Sequence, residues 1–78
     1  MTRWVLLAFE KAGDALISEH ALEGARIEDV RALTGQPPTN PMHDSYPVSE
    51  AQAPWLEART GHKLDFFRHE YFVEGVFD

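Results

Sequence analysis

The sequence predicts an α+β domain of order ββααβ, a three-stranded sheet with two helices packed on one of its faces. Three observations carry the prediction. Residues 4–9 are an unbroken apolar run, two segments between residues 25 and 60 place apolar side chains at helical spacing, and residues 63–77 interleave aromatic rings with charges.

Residues 3–10 read as the first strand, because Trp4, Val5, Leu6, Leu7, Ala8 and Phe9 are apolar on both alternating faces. That pattern suits a central position. Lys11-Ala12-Gly13-Asp14 supplies a turn, and residues 15–22 return as a second strand whose Ser18, Glu19 and His20 suit a sheet edge. In residues 25–34 the spacing of Ile27, Val30 and Leu33 predicts an amphipathic helix, with Gly35 as its terminating residue. Residues 36–47 contain four prolines and read as a long loop without regular structure. Ser49-Glu50-Ala51-Gln52 has the form of a capping box. A second helix is expected from there to Thr60, ending at Gly61 and burying Ala51, Trp55 and Leu56, with Ala58 at the margin of that face. The last strand is expected around residues 68–76, and the first strand is placed in the middle of the sheet.

Seventy-eight residues bound the chain to a single domain, 1–78, whose stability on packing alone is about 3–5 kcal/mol. With 44% hydrophobic residues the composition is that of a folded domain. Cysteine is absent, which removes disulfides and thiolate metal ligands and fits a reducing cytoplasm. No apolar run is long enough to cross a bilayer, and no signal-peptide pattern opens the sequence, so a cytoplasmic protein with no membrane partner is expected. Thirteen acidic residues against seven basic ones give a formal charge of −6, weighted toward the C-terminal half, where seven acidic residues face three basic ones. A field of that sign repels phosphate backbones. Nucleic acid is therefore excluded as the expected partner, and a basic protein is favoured.

Little in the sequence points to chemistry. The histidines His20, His43, His62 and His69, even beside Asp44 and Asp65, show none of the spacings that hold a metal, so no metal or other cofactor is expected. His43, Asp44, Ser45 and Tyr46 are adjacent in sequence, but catalytic groups converge from separate elements. So small a core leaves little room for a pocket of about 300 Å³. No enzyme activity is expected. The strongest feature is the set Asp65, Glu70, Glu74 and Asp78 interleaved with Phe66, Tyr71, Phe72 and Phe77. In a strand, Glu70, Phe72, Glu74 and Val76 share one side, so carboxylates border apolar surface. Aromatic anchors ringed by charge are the makings of a protein interface.

The stretch Asn40-Pro41-Met42-His43-Asp44-Ser45-Tyr46-Pro47-Val48, followed by a helix and then Glu70-Tyr71-Phe72-Val73-Glu74, resembles a family of short bacterial domains often encoded beside polymorphic toxins. The resemblance runs from the Trp4 strand to Glu74. It implies an immunity protein that binds a cognate basic toxin domain, one acting on nucleic acid or nucleotides, and blocks its active site. The candidate toxin-binding residues are Asp44, Tyr46, Asp65, Glu70, Tyr71 and Glu74. The alternative is a homodimeric interaction or regulatory module that pairs through an exposed strand edge or the aromatic C-terminal strand and has no toxin partner.

Overall fold

The computed structural model describes residues 2–77. Its elements are β1 (Thr2–Glu10), β2 (Leu16–Ala21), α1 (Ile27–Thr34), β3 (Tyr46–Val48), α2 (Ala53–Thr60) and β4 (His69–Phe77). The four strands form one antiparallel sheet of order β2-β1-β4-β3. β1 is interior as expected, but it shares the interior with β4, and a fourth strand replaces part of the loop predicted for residues 36–47.

That extra strand is the main correction to the sequence reading. Pro47 lies inside β3, opposite Phe72 of β4. Proline lacks the N–H that a central strand requires, but β3 is a sheet edge with one side unpaired, and such a position tolerates it. The rest of the proline-rich segment is irregular but internally bonded. Asn40 organises it: its Oδ1 accepts from the Met42 N–H at 2.8 Å and from the Tyr46 hydroxyl at 3.3 Å, and its carbonyl accepts from Arg31 Nε at 2.8 Å. Met42 has a left-handed φ of 61°, while its side chain is fully buried. The backbone strain costs about 1–2 kcal/mol, and burying a methionine returns about 1.5–3 kcal/mol, so the burial wins.

The hairpin forms as the turn chemistry dictates. The Asp14 N–H donates to the Glu10 carbonyl at 2.8 Å, and the Glu10 N–H donates to the Ala15 carbonyl at 2.9 Å. α1 ends at Gly35, whose φ of 72° is the left-handed terminus anticipated there. α2 begins later than expected. Residues Glu50–Gln52 form a 3-10 turn first, and the regular helix starts beside Pro54. The Ser49 N–H donates to Gln52 Oε1 at 2.6 Å, and Gln52 Nε2 donates to the Leu33 carbonyl, tying the start of this helix to the end of α1. Of its expected buried residues, Leu56 is fully buried and Trp55 half-buried, whereas Ala51 and Ala58 are exposed. The late start explains Ala51, which sits in the 3-10 turn outside the packed helical face.

Both helices cover one face of the sheet, as expected. Val30 of α1 and Leu56 of α2 pack in one cluster with Trp4, Leu6 and Ala8 of β1 and with Tyr71 and Val73 of β4. Trp4 lies directly opposite Gly75 in the register, and that glycine makes room for the indole. Among the described residues the reverse face carries no helix. It presents Val5, Leu7 and Phe9 of β1 beside Glu74, Phe72 and Glu70 of β4, their respective register partners, with Glu19 of β2 opposite Leu7.

Candidate protein-binding face

The helix-free face follows from strand periodicity. Alternate residues of a strand point to opposite sides, and directly paired residues point to the same side. Trp4, Leu6 and Ala8 face the helices, so Val5, Leu7 and Phe9 face away from them. β4 adds Glu70, Phe72, Glu74 and Val76 on that side, the grouping its sequence period predicts. Val5 and Leu7 are nevertheless buried, so the apolar side chains this face presents to solvent are the half-buried Phe9, Phe72 and Val76. Phe9 and Phe72 meet edge to face, with ring centroids 5.6 Å apart. Ser45, just before β3, donates its hydroxyl to Glu74 Oε1 at 3.1 Å. The outcome is an apolar patch centred on Phe9 and Phe72 and bordered by carboxylates on two strands, Glu19 of β2 and Glu70 and Glu74 of β4.

The six candidate binding residues separate in the fold. Glu70 and Glu74 lie together on the helix-free face. Tyr46 and Tyr71 are buried on the opposite, helix-covered face, at 8% and 5% exposure, which removes both from any surface used for docking. Their spacing as aromatic strand residues is equally that of core. Tyr71 supplies a hydroxyl to the turn before β4, accepting from the Asp65 N–H at 2.9 Å, with His69 Nδ1 at 3.3 Å from the same oxygen. Asp65 has a local duty in that turn: its Oδ1 accepts from the Phe67 and Arg68 N–H groups at 3.0 and 3.3 Å, and its carboxylate lies 3.8 Å from Arg68 Nε. Asp44 is exposed in the segment before β3, next to Ser45. Asp78 lies outside the described residues.

Sequence reasoning missed Glu19 and Phe67. Glu19 joins the face only through the β1–β2 register. Phe67 is 89% exposed at the tip of the turn that Asp65 caps, a position readable from the Asp-x-x-Arg turn only once the strand boundary is known. Among the histidines, His62 lies against His20, ring centroids 3.9 Å apart, instead of joining His69. Burial is the larger cause, and the neighbouring His62 charge the smaller, of the lowered pKa of His20. His43 packs edge-on against Phe77 while Ser45 and Tyr46 bond elsewhere, so the four adjacent polar residues diverge. Among the described residues, no three potential ligands come together in a metal-binding arrangement, and no helix is long and apolar enough to cross a membrane.

Residues 3–74 match a family described as a domain of unknown function, DUF7683. The chain belongs to that family. The match spans β1 through most of β4, so it includes every strand that builds the helix-free face. No curated protein matches the chain.

Proposed function

We propose that this DUF7683 domain is a cytoplasmic binding protein whose helix-free sheet face docks on a basic protein. One observation carries the reading: Glu19, Glu70 and Glu74 border the half-buried rings of Phe9 and Phe72, with Val5 and Leu7 buried beneath, on a single face that no helix among the described residues covers. Apolar area supplies affinity at the centre of an interface, while carboxylates at its rim steer a cationic partner and reject an anionic one. The overall charge of −6 acts in the same direction. The partner we assign is a toxin domain, neutralised when this face covers the cations that grip its nucleic-acid or nucleotide substrate. The resemblance of residues 40–48 and 70–74 to immunity-type domains supports that choice.

The test is capture of a basic protein encoded next to this chain, followed by stopped-flow association at rising salt. We expect a one-to-one complex whose association rate falls steeply with ionic strength, because steering charges are screened over about 10 Å at 0.1 M salt. Co-expression should restore growth to cells carrying the toxin. A rate indifferent to salt, or a toxin that kills with the domain bound elsewhere, would sink the reading.

A second reading is supported by the β2 edge. Among the described residues the outer side of β2 has no partner strand, and its own Leu16 and Ile17 are exposed. β4 is interior and the other edge, β3, is only three residues long and carries Pro47, so a homodimer built by strand addition would use β2 and not the C-terminal strand. Sedimentation equilibrium distinguishes the two readings: a dimer abolished by Ile17→Lys favours self-association, and a monomer removes it.

A further inference from the structure

The helix-free face contains a recess. Phe9, Asp14, Ser45, Glu70 and Phe72 line a cavity of about 310 Å³, open to solvent, with the two phenylalanine rings as walls; the small core was expected to leave little room for a pocket of that size, and this one lies at the surface instead of inside the core. Its carboxylates arrive from separate elements, Asp14 from the hairpin turn and Glu70 from β4. Among the described residues neither carboxylate has a hydrogen-bond or ion-pair partner, and no lysine or arginine of the chain lines the recess. The Ser45 hydroxyl is already donated to Glu74, which keeps a third carboxylate close by.

We infer that this recess receives the guanidinium group of an arginine projecting from the partner. The inference rests on the proposed function for the source of that arginine, and on the recess alone for its chemistry. A neutral apolar group would strip water from Asp14 and Glu70 and give nothing back, which is costly for a charge. An anion would be repelled by both. An ammonium group satisfies the charge, but it is compact and strongly hydrated, whereas a guanidinium is flat, weakly hydrated and stacks on aromatic rings while presenting paired N–H donors to carboxylates. Aromatic walls combined with free carboxylates therefore select the planar cation. Seated there, the arginine would anchor the interface at the β1–β4 end, next to the apolar centre of the face.

The test uses the isolated protein and a small probe, N-butylguanidine, with its neutral isostere N-butylurea as control. Ring resonances of Phe9 and Phe72 are followed by NMR during titration. The guanidine should give saturable shifts with a Kd on the order of 10 mM, and the urea none. Glu70→Gln, exposed and free of structural bonds, should fold normally and weaken the probe about tenfold or more. Asp14→Asn retains a residue suited to the left-handed backbone at that position, where φ is 55°, and should weaken it as well. Shifts that rise linearly, that are matched by the urea, or that persist in both variants overturn the assignment. A basic partner that binds these variants as tightly as the native chain also overturns the recess while leaving the proposed function intact. Saturable guanidine binding supports the recess even where no basic partner is found.

Discussion

At Gly75 the fold depends on a missing side chain. A Cβ there would stand 2.8 Å from one carbon of the Trp4 ring and 3.1 Å from another, and Trp4 is itself buried in the core. The Phe77 ring stands 3.3 Å from the same point and the indole belongs to the packed core cluster, so Gly75→Ala should destabilise by about 1–3 kcal/mol, the usual cost of overpacking. Urea denaturation followed by tryptophan fluorescence measures it; an unchanged midpoint would mean that the ring moves freely. His20 makes the other residue-scale prediction. Its folded-state pKa lies below the ordinary value, about 6.5, so the unfolded chain binds the proton more readily. Stability from this group is complete above that value, declines as pH falls through it, and levels off once the folded form is also protonated. Chemical melts at pH 7.5 and 5.5 should show the decline, and His62→Gln should reduce it by removing the neighbouring positive charge. An identical pH dependence in the two proteins would assign the effect to other groups.

At the scale of elements, the proline-rich segment is where the fold parted from its sequence. β1, β2, both helices and β4 were legible because their periods, turns and terminal glycines are local signals. β3 was not. Three residues containing a proline carry no strand signal of their own, and only pairing with β4 makes Tyr46–Val48 a strand. The candidate site was half legible for a related reason. Period two placed Glu70, Phe72 and Glu74 together, but it could not say that Tyr46 and Tyr71 belong to the covered face, since that depends on where the helices pack. The segment leading into β3 should be sensitive at Asn40, whose side chain holds both the Met42 amide and the Tyr46 hydroxyl. Asn40→Ala leaves those donors without their acceptor and should cost about 1–3 kcal/mol. Hydrogen exchange at the Met42 amide should quicken at the same time. Unaltered exchange would show that water replaces the side chain without loss.

Over the whole molecule, the charge is distributed for encounter and contributes little to the fold. Glu70 and Glu74 form no ion pair among the described residues, and they border apolar side chains on a surface turned away from the core. Replacing both by glutamine should leave the unfolding free energy within about 0.5 kcal/mol of the native value. Partner association should slow severalfold at low salt, because the steering field is lost. Calorimetry together with association kinetics checks the two halves of this expectation, and a large loss of stability would mark these carboxylates as structural. The register has a consequence for how the chain reaches its native state. β1 pairs along its full length with β4, joining Thr2 to Phe77 and Glu10 to His69. The β1–β2 hairpin can assemble early, since its loop is short, yet it then waits with one flank of the most apolar strand bare until the last segment arrives. Closing so long a loop is entropically expensive and slows folding relative to chains built from neighbouring contacts. During synthesis this waiting hairpin is the species most exposed to misassembly, and the interval lasts until the final strand leaves the ribosome.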